Sequence, residues 1–288
     1  MKRYILVLIV AFVAILISSY THTSLSIELI QAIQDKKINV SVTSTGNYSG
    51  KSMELKIKNL VNVPYRITVA AGTIFIPEDK GEQTMLVPEK SIIVLQPSET
   101  KSVLIGGYCT ELKDRCPQTS SSFTISKTSN QALKELILYI DPLRNLDESL
   151  IQQSIWCITD GESPSNVTGE DVVNTKIVRA FLFKRIGQAD TWYSMKRAPE
   201  IIADRSIVNN ALEVTGKIDI KAIKPMELIG VVKNEAGEVV WEYPYRTSLP
   251  AGDIVFDFNL KVRNWKSGNY FIIYTCEGVV LVNQKFTI

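Results

Sequence analysis

The chain has a single histidine, His22, and it lies in or beside an apolar N-terminal run. Once that run is cut away the sequence offers no imidazole, which removes Ser-His-Asp and Cys-His nucleophile activation, histidine zinc sites and a proton shuttle near neutral pH. Charge of one sign is also lacking: Lys and Arg number 32, Asp and Glu 30, and they interleave along the chain for a formal net charge of +2. No basic stripe is available to follow a phosphate backbone, so nucleic acid is not an expected partner. There is no Gly-rich phosphate loop, no low-complexity tract and no acidic loop of calcium-binding spacing, and the acids fall in turns and helix starts with no paired spacing for acid/base work. The expectation is a protein that is not an enzyme and carries no cofactor and no metal. Cysteine is sparse at four residues, Cys109, Cys116, Cys157 and Cys276.

What is present at the start is an export signal. Met1-Lys2-Arg3 is basic, residues 4–17 are apolar without interruption, and the chain turns small and polar from Ser18. This run is shorter than the roughly 20 residues that span a bilayer. Ser24-Leu25-Ser26 carries small residues where a signal peptidase reads, placing a cleaved leader at residues 1–26, with Ser18-Ser19 as a second position. Membrane attachment would come only through an uncleaved leader. An exported protein at the surface, outside the cell or in the periplasm follows.

About 260 remaining residues, in a chain 45% apolar, suffice for two or three packed domains. Three Asn-x-Ser/Thr triplets, at Asn39, Asn47 and Asn166, read as surface polar residues. A lead-in helix is expected over 27–33. Strands are expected over 38–43, 53–59, 65–70, 91–95 and 102–105, separated by Gly, Pro and Asn turn signals. In the second of these Met53, Leu55 and Ile57 alternate with Glu54, Lys56 and Lys58, one face buried and one wet. The period then lengthens: Leu133, Leu136, Ile137 and Ile140 share a helix face ended by Asp141-Pro142. A second helix is expected from Asn145, with Glu148 completing a capping box, and a third from about Thr168 to Gly187. After a transition over 189–209, broken at Ala198-Pro199, strands return at 212–218, 226–233, 239–243, 254–260, 270–276 and 279–287, the last two turning at Glu277-Gly278. The expected fold is mainly β with an intervening helical subdomain: a β-sandwich over 27–128, helices and linker over 129–205, and an Ig-like C-terminal β-sandwich over 206–288.

Two stretches carry resemblances. Gly106-Gly107-Tyr108-Cys109, Cys116-Pro117 and Ile151-Gln152-Gln153-Ser154-Ile155-Trp156 are similar, in order and wording, to thioester domains of bacterial surface adhesins, over about residues 38–187. There an aromatic-Cys pair ends a strand and a helix carries Thr-Gln-x-Ala-Ile-Trp. Here Gln152, Ile155 and Trp156 match, while Ile151 and Ser154 replace the Thr and Ala. The resemblance implies that Cys109 Sγ displaces ammonia from the Gln152 side chain, that Tyr108 and Trp156 shield the bond, and that a partner amine later attacks it. The C-terminal third, with Ser267-Gly268-Asn269-Tyr270-Phe271-Ile272-Ile273 and Gln284-Lys285-Phe286-Thr287-Ile288, resembles the small β-sandwich that ends Bacteroidetes proteins exported by the type IX system.

A disulfide competes for the same sulfur. Cys109 and Cys116 bracket a polar loop, and an even cysteine count in an exported chain favours bridges, with three pairings open. Cys157 and Cys276 either pair or stay as buried thiols. Two functions follow: a surface adhesion or interaction protein that binds a protein or glycan and can crosslink to it, or a disulfide-stapled accessory subunit of an envelope assembly.

Overall fold

The computed structural model describes residues 24–143, 146–243 and 247–288. The predicted leader, but for its last three residues, and the predicted helix start at Asn145 lie outside them. The fold is mainly β, sandwich-like, with a few helices along the chain between strand-rich halves. Its described residues divide into two compact units, one made of those up to Thr110 with Cys116–Pro142, the other of Glu111–Arg115 with those from Leu143 onward.

In the first unit, β1 (Leu25–Glu28) leads straight into the short helix α1 (Leu29–Gln34), followed by β2 (Ile38–Ser44), β3 (Met53–Asn59), β4 (Tyr65–Val69), β5 (Thr73–Pro77), β6 (Met85–Leu86), β7 (Ser91–Leu95), β8 (Thr100–Ile105), β9 (Tyr108–Cys109) and β10 (Ser122–Lys127). One sheet runs β1-β4-β7 and the other β8-β3-β2-β10-β5-β6-β9. In β3, Met53, Leu55 and Ile57 are fully buried while Glu54, Lys56 and Lys58 face water, as the alternation predicts. The lead-in helix is shorter than expected because Leu25–Glu28 pairs in parallel with β4, Leu25 opposite Tyr65 and Ile27 opposite Ile67. The helix α2 (Gln131–Ile140), capped by Asn130 Oδ1 on Leu133 N at 3.2 Å, buries Leu133, Leu136, Ile137 and Ile140 and belongs to this unit.

The second unit holds the other two helices. α3 (Glu148–Thr159) is capped two residues later than predicted: Asp147 is the cap, its Oδ1 accepting from Leu150 N at 2.9 Å. α4 (Val172–Ile186) is capped by Asp171 and stops at Gly187, whose φ of +71° is the left-handed conformation that glycine takes without a Cβ penalty. Between them Pro164–Asn166 makes one 3₁₀ turn. The expected linker is instead strand β11 (Tyr193–Ile201), which runs through Ala198-Pro199. A residue with no N–H to give is tolerated because β11 is the edge of a three-stranded sheet in which it pairs only with β12 (Ile207–Ala222).

The remaining strands, β13 (Met226–Asn234), β14 (Val239–Glu242), β15 (Thr247–Leu249), β16 (Gly252–Lys261), β17 (Asn269–Cys276) and β18 (Val279–Thr287), complete that sheet and build a second, β14-β13-β17-β18, with β15 also on β13. Val214, Ile218, Phe258 and Leu260 from one sheet and Val232, Ile272, Tyr274 and Phe286 from the other share a single core. Glu277 and Gly278, at φ +50° and +82°, turn β17 into β18 in the doubly positive geometry whose twist suits a tight hairpin.

Candidate functional site

Gly106 and Gly107 lead into β9, and Gly107 is forced by space. Its carbonyl accepts from Ser52 Oγ at 2.7 Å, and a Cβ there would stand 2.5 Å from Met53 Cγ. Cys109 follows at 0% exposure, beside Tyr108 at 5%, its N–H on Tyr48 O at 2.9 Å and its thiol 3.6 Å from Met85 Sδ. Cys116, also buried, places its thiol 3.6 Å from Gly46 O.

The cysteines correct one expectation: all four are buried, and no disulfide joins them. The polar loop between Cys109 and Cys116 is held by a hydrogen bond where a bridge was expected. Leu112 N donates to Asp160 Oδ1 at the end of α3 at 2.9 Å, and the two sulfurs are engaged with different neighbours. Cys157 is packed into α3, and burial pushes its thiol pKa well above the usual range, with the Glu162 carboxylate adding to the effect.

Gln152 and Trp156 sit on α3 in the second unit, whereas Cys109 and Tyr108 belong to the first. From Leu150 to Cys157 this helix is buried on every side, which is why its amides need internal partners. Gln153 Nε2 donates to Asn209 Oδ1 at 3.1 Å and Asn209 Nδ2 returns the bond to Gln153 Oε1 at 3.2 Å, while Ser154 Oγ donates to Leu150 O at 2.7 Å. Gln152 is 1% exposed and Trp156 fully buried. The glycosylation triplets divide: Asn39 and Asn47 are exposed, but Asn166 is buried and donates to Glu162 Oε2 at 2.7 Å.

The second unit also carries polar groups that sequence reasoning missed. Arg179, 9% exposed, projects from α4 onto the start of β11. Its guanidinium donates to Ser194 Oγ, to Asp190 Oδ1 at 3.1 Å, to Thr191 O at 3.3 Å and to Tyr193 O at 3.0 Å, and lies over the Phe183 ring. Arg197 donates from its two terminal nitrogens to Asn209 O at 2.7 Å and Thr287 O at 3.2 Å, and its Nε is buried with no hydrogen-bond partner. Burial lowers the pKa of this guanidinium, with opposing effects from Glu162 and Tyr193.

Two of these contacts finish a sheet. Ile288 exchanges both backbone bonds with Gly268, so by alternation the carbonyls of Lys285 and Thr287 point away from β17. Tyr193 OH, at 3.3 Å, and Arg197 take up those two carbonyls of the edge strand β18.

Beside Arg197 opens a hollow of about 420 Å³, walled by β11, β12 and the segment that joins β16 to β17, with Arg263, Asn264 and Trp265 on the joining side. No residue spacing announces it, because the two walls lie some sixty positions apart in sequence. Among the described residues no group of three or more His, Cys, Asp and Glu side chains is placed to hold a metal, and no helix is long and apolar enough to cross a membrane. No family model matches the chain, and no curated protein matches it.

Proposed function

We propose that this chain is an exported, non-enzymatic interaction protein of the cell surface, binding a protein or glycan through its second unit. The observation that carries the reading is the hollow beside Arg197: concave, of ligand size, and lined by Arg, Asn and Glu side chains at a sheet edge. Export rests on the leader pattern, and β1 bears on where the leader is cut. A cut after Ser26 would remove the first two residues that pair with β4, whereas a cut at Ser18-Ser19 leaves the strand whole. The disulfide-stapled accessory subunit is the weaker reading, since the staples are not formed.

The test is co-sedimentation of the labelled, leaderless chain with intact cells of its source. Saturable binding competed by unlabelled chain is expected. Binding that rises linearly with concentration and resists competition would overturn the proposal.

A covalent form of the same function is favoured by one observation: Cys109 and Gln152, with Tyr108 and Trp156, are all withdrawn from water, as a stored thioester requires. Closing it joins Cys109 Sγ to Gln152 Cδ and releases ammonia, the thiol proton leaving with the amide nitrogen. A partner amine then attacks the acyl carbon, forms an amide and restores the thiol. Intact mass of the unreduced protein decides: loss of one ammonia with the Cys109 and Gln152 peptides linked is expected, and an unchanged mass with both peptides free refutes the covalent form.

A further inference from the structure

Resting on the reading of the second unit as a binding module, we propose that the hollow beside Arg197 takes the carboxylate and ring of an acidic saccharide, with Arg263 as the residue that pairs with the acid. The cations differ in state. Arg197 is tied to two backbone carbonyls and braces the wall, its Nε–H still without an acceptor. Arg263 is exposed at the rim and makes no hydrogen bond or ion pair among the described residues. A guanidinium presents a planar fork that matches a carboxylate with two parallel bonds, so an uncommitted Arg beside a second fixed cation is a carboxylate receptor in waiting. The acid in the same wall, Glu200, accepts from Asn210, whose Nδ2 donates to its Oε2 at 3.5 Å, and the side chains of the lining set two guanidiniums against that one carboxylate.

The rest of the wall selects a sugar over a simple anion. Trp265 is half-buried, its ring 5.1 Å from that of Tyr270, and Tyr270 is fixed by its hydroxyl on Lys266 O at 2.7 Å. This gives a rigid aromatic plate against which the C–H face of a pyranose can be desolvated, while the indole N–H at its edge stays available for a hydroxyl. Asn210 and Asn264 add amides that both donate and accept, matching hydroxyls that do the same. Asn264 is held at φ +67°, a conformation in which Asn is among the few side chains tolerated. A lipid is a poor fit to so polar a lining, and inorganic phosphate would leave the aromatic plate unused.

The test is calorimetric titration of the full chain with an oligogalacturonate, with the same oligomer reduced at its carboxyls to the neutral sugar, and with inorganic phosphate. Binding of the acidic oligomer is expected, with at least about tenfold weaker binding of the reduced oligomer and of phosphate, one charge-assisted contact being of that order. Arg263→Glu, an exposed change that should leave the melting temperature in place, is expected to weaken oligogalacturonate binding by more than about tenfold, and Trp265→Phe by less than Trp265→Ala. Equal binding of the neutral oligomer or of phosphate, full affinity in Arg263→Glu, or no binding of the acidic oligomer would each overturn the proposal. Should the chain still sediment saturably with cells while ignoring the oligomer, this ligand assignment fails and the interaction reading stands.

Discussion

Replacing Arg179 with Met keeps the length of the side chain and its contact with Phe183 but removes every donor that holds α4 to the start of β11. The ion pair itself counts for little, because Asp190 is 54% exposed and a half-solvated pair contributes about 0–1 kcal/mol. The weight lies with Tyr193 O, Thr191 O and Ser194 Oγ. Hydrogen bonds from a charged donor contribute about 1.5–3 kcal/mol each and are not additive, and Tyr193 O keeps a second donor in Thr191 Oγ1 at 2.8 Å. A loss of about 3 kcal/mol is expected. With a urea dependence of about 2 kcal/mol per molar for a unit of this size, the unfolding midpoint falls by about 1.5 M.

The assay comes from the sequence: all four tryptophans, Trp156, Trp192, Trp241 and Trp265, lie in the second unit, so tryptophan fluorescence follows that unit alone. Hydrogen exchange of peptides from β2, β3 and β8 follows the first. The fluorescence transition is expected to move while exchange in those strands does not. A midpoint shift under about 0.3 M would refute the energetic argument, and equal loss of protection in the first unit would refute the division into units.

Three further changes probe the same framework. Gly107→Ala drives a Cβ against Met53 and Ser52 and is expected to destabilise the first unit by about 1–3 kcal/mol, read as lost exchange protection with the tryptophan transition in place. Gln153→Leu strands the Asn209 amide and is expected to cost about 1–3 kcal/mol; a double-mutant cycle with Asn209→Ala showing no coupling would contradict the reciprocal pair. The raised pKa of the buried Cys157 thiol means that the folded chain keeps a proton that the unfolded chain releases. Stability from this site therefore falls as pH rises above the ordinary thiol value of about 8.5. Iodoacetamide at pH 8 is expected to spare Cys157 until urea is added, and rapid native-state labelling would contradict the burial.

Where one face is wet and the other dry, the sequence was legible: β3 and the face of α2 follow their periods, and Gly187 and Glu277-Gly278 mark ends that only residues tolerant of positive φ can make. β11 was hidden because Ala198-Pro199 reads as a break unless the strand is known to be an edge. β1 was hidden because its first residues look like the tail of a leader. The cap of α3 slipped from Asn145 to Asp147 because both are good caps with acids after them. Disulfides were inferred from compartment and count, which say nothing about whether Cα–Cβ vectors converge. The Arg197 hollow depends on β11 meeting a distant segment, and local pattern carries no trace of such convergence.

The central claim is that the chain works outside the cytoplasm, at the surface, by binding. Protease applied to intact source cells tests it most directly, with quantitation of peptides from β12 and β17. Their loss while a cytoplasmic marker protein survives is the predicted result. Protection equal to that of the cytoplasmic marker, abolished only by lysis, would contradict the account.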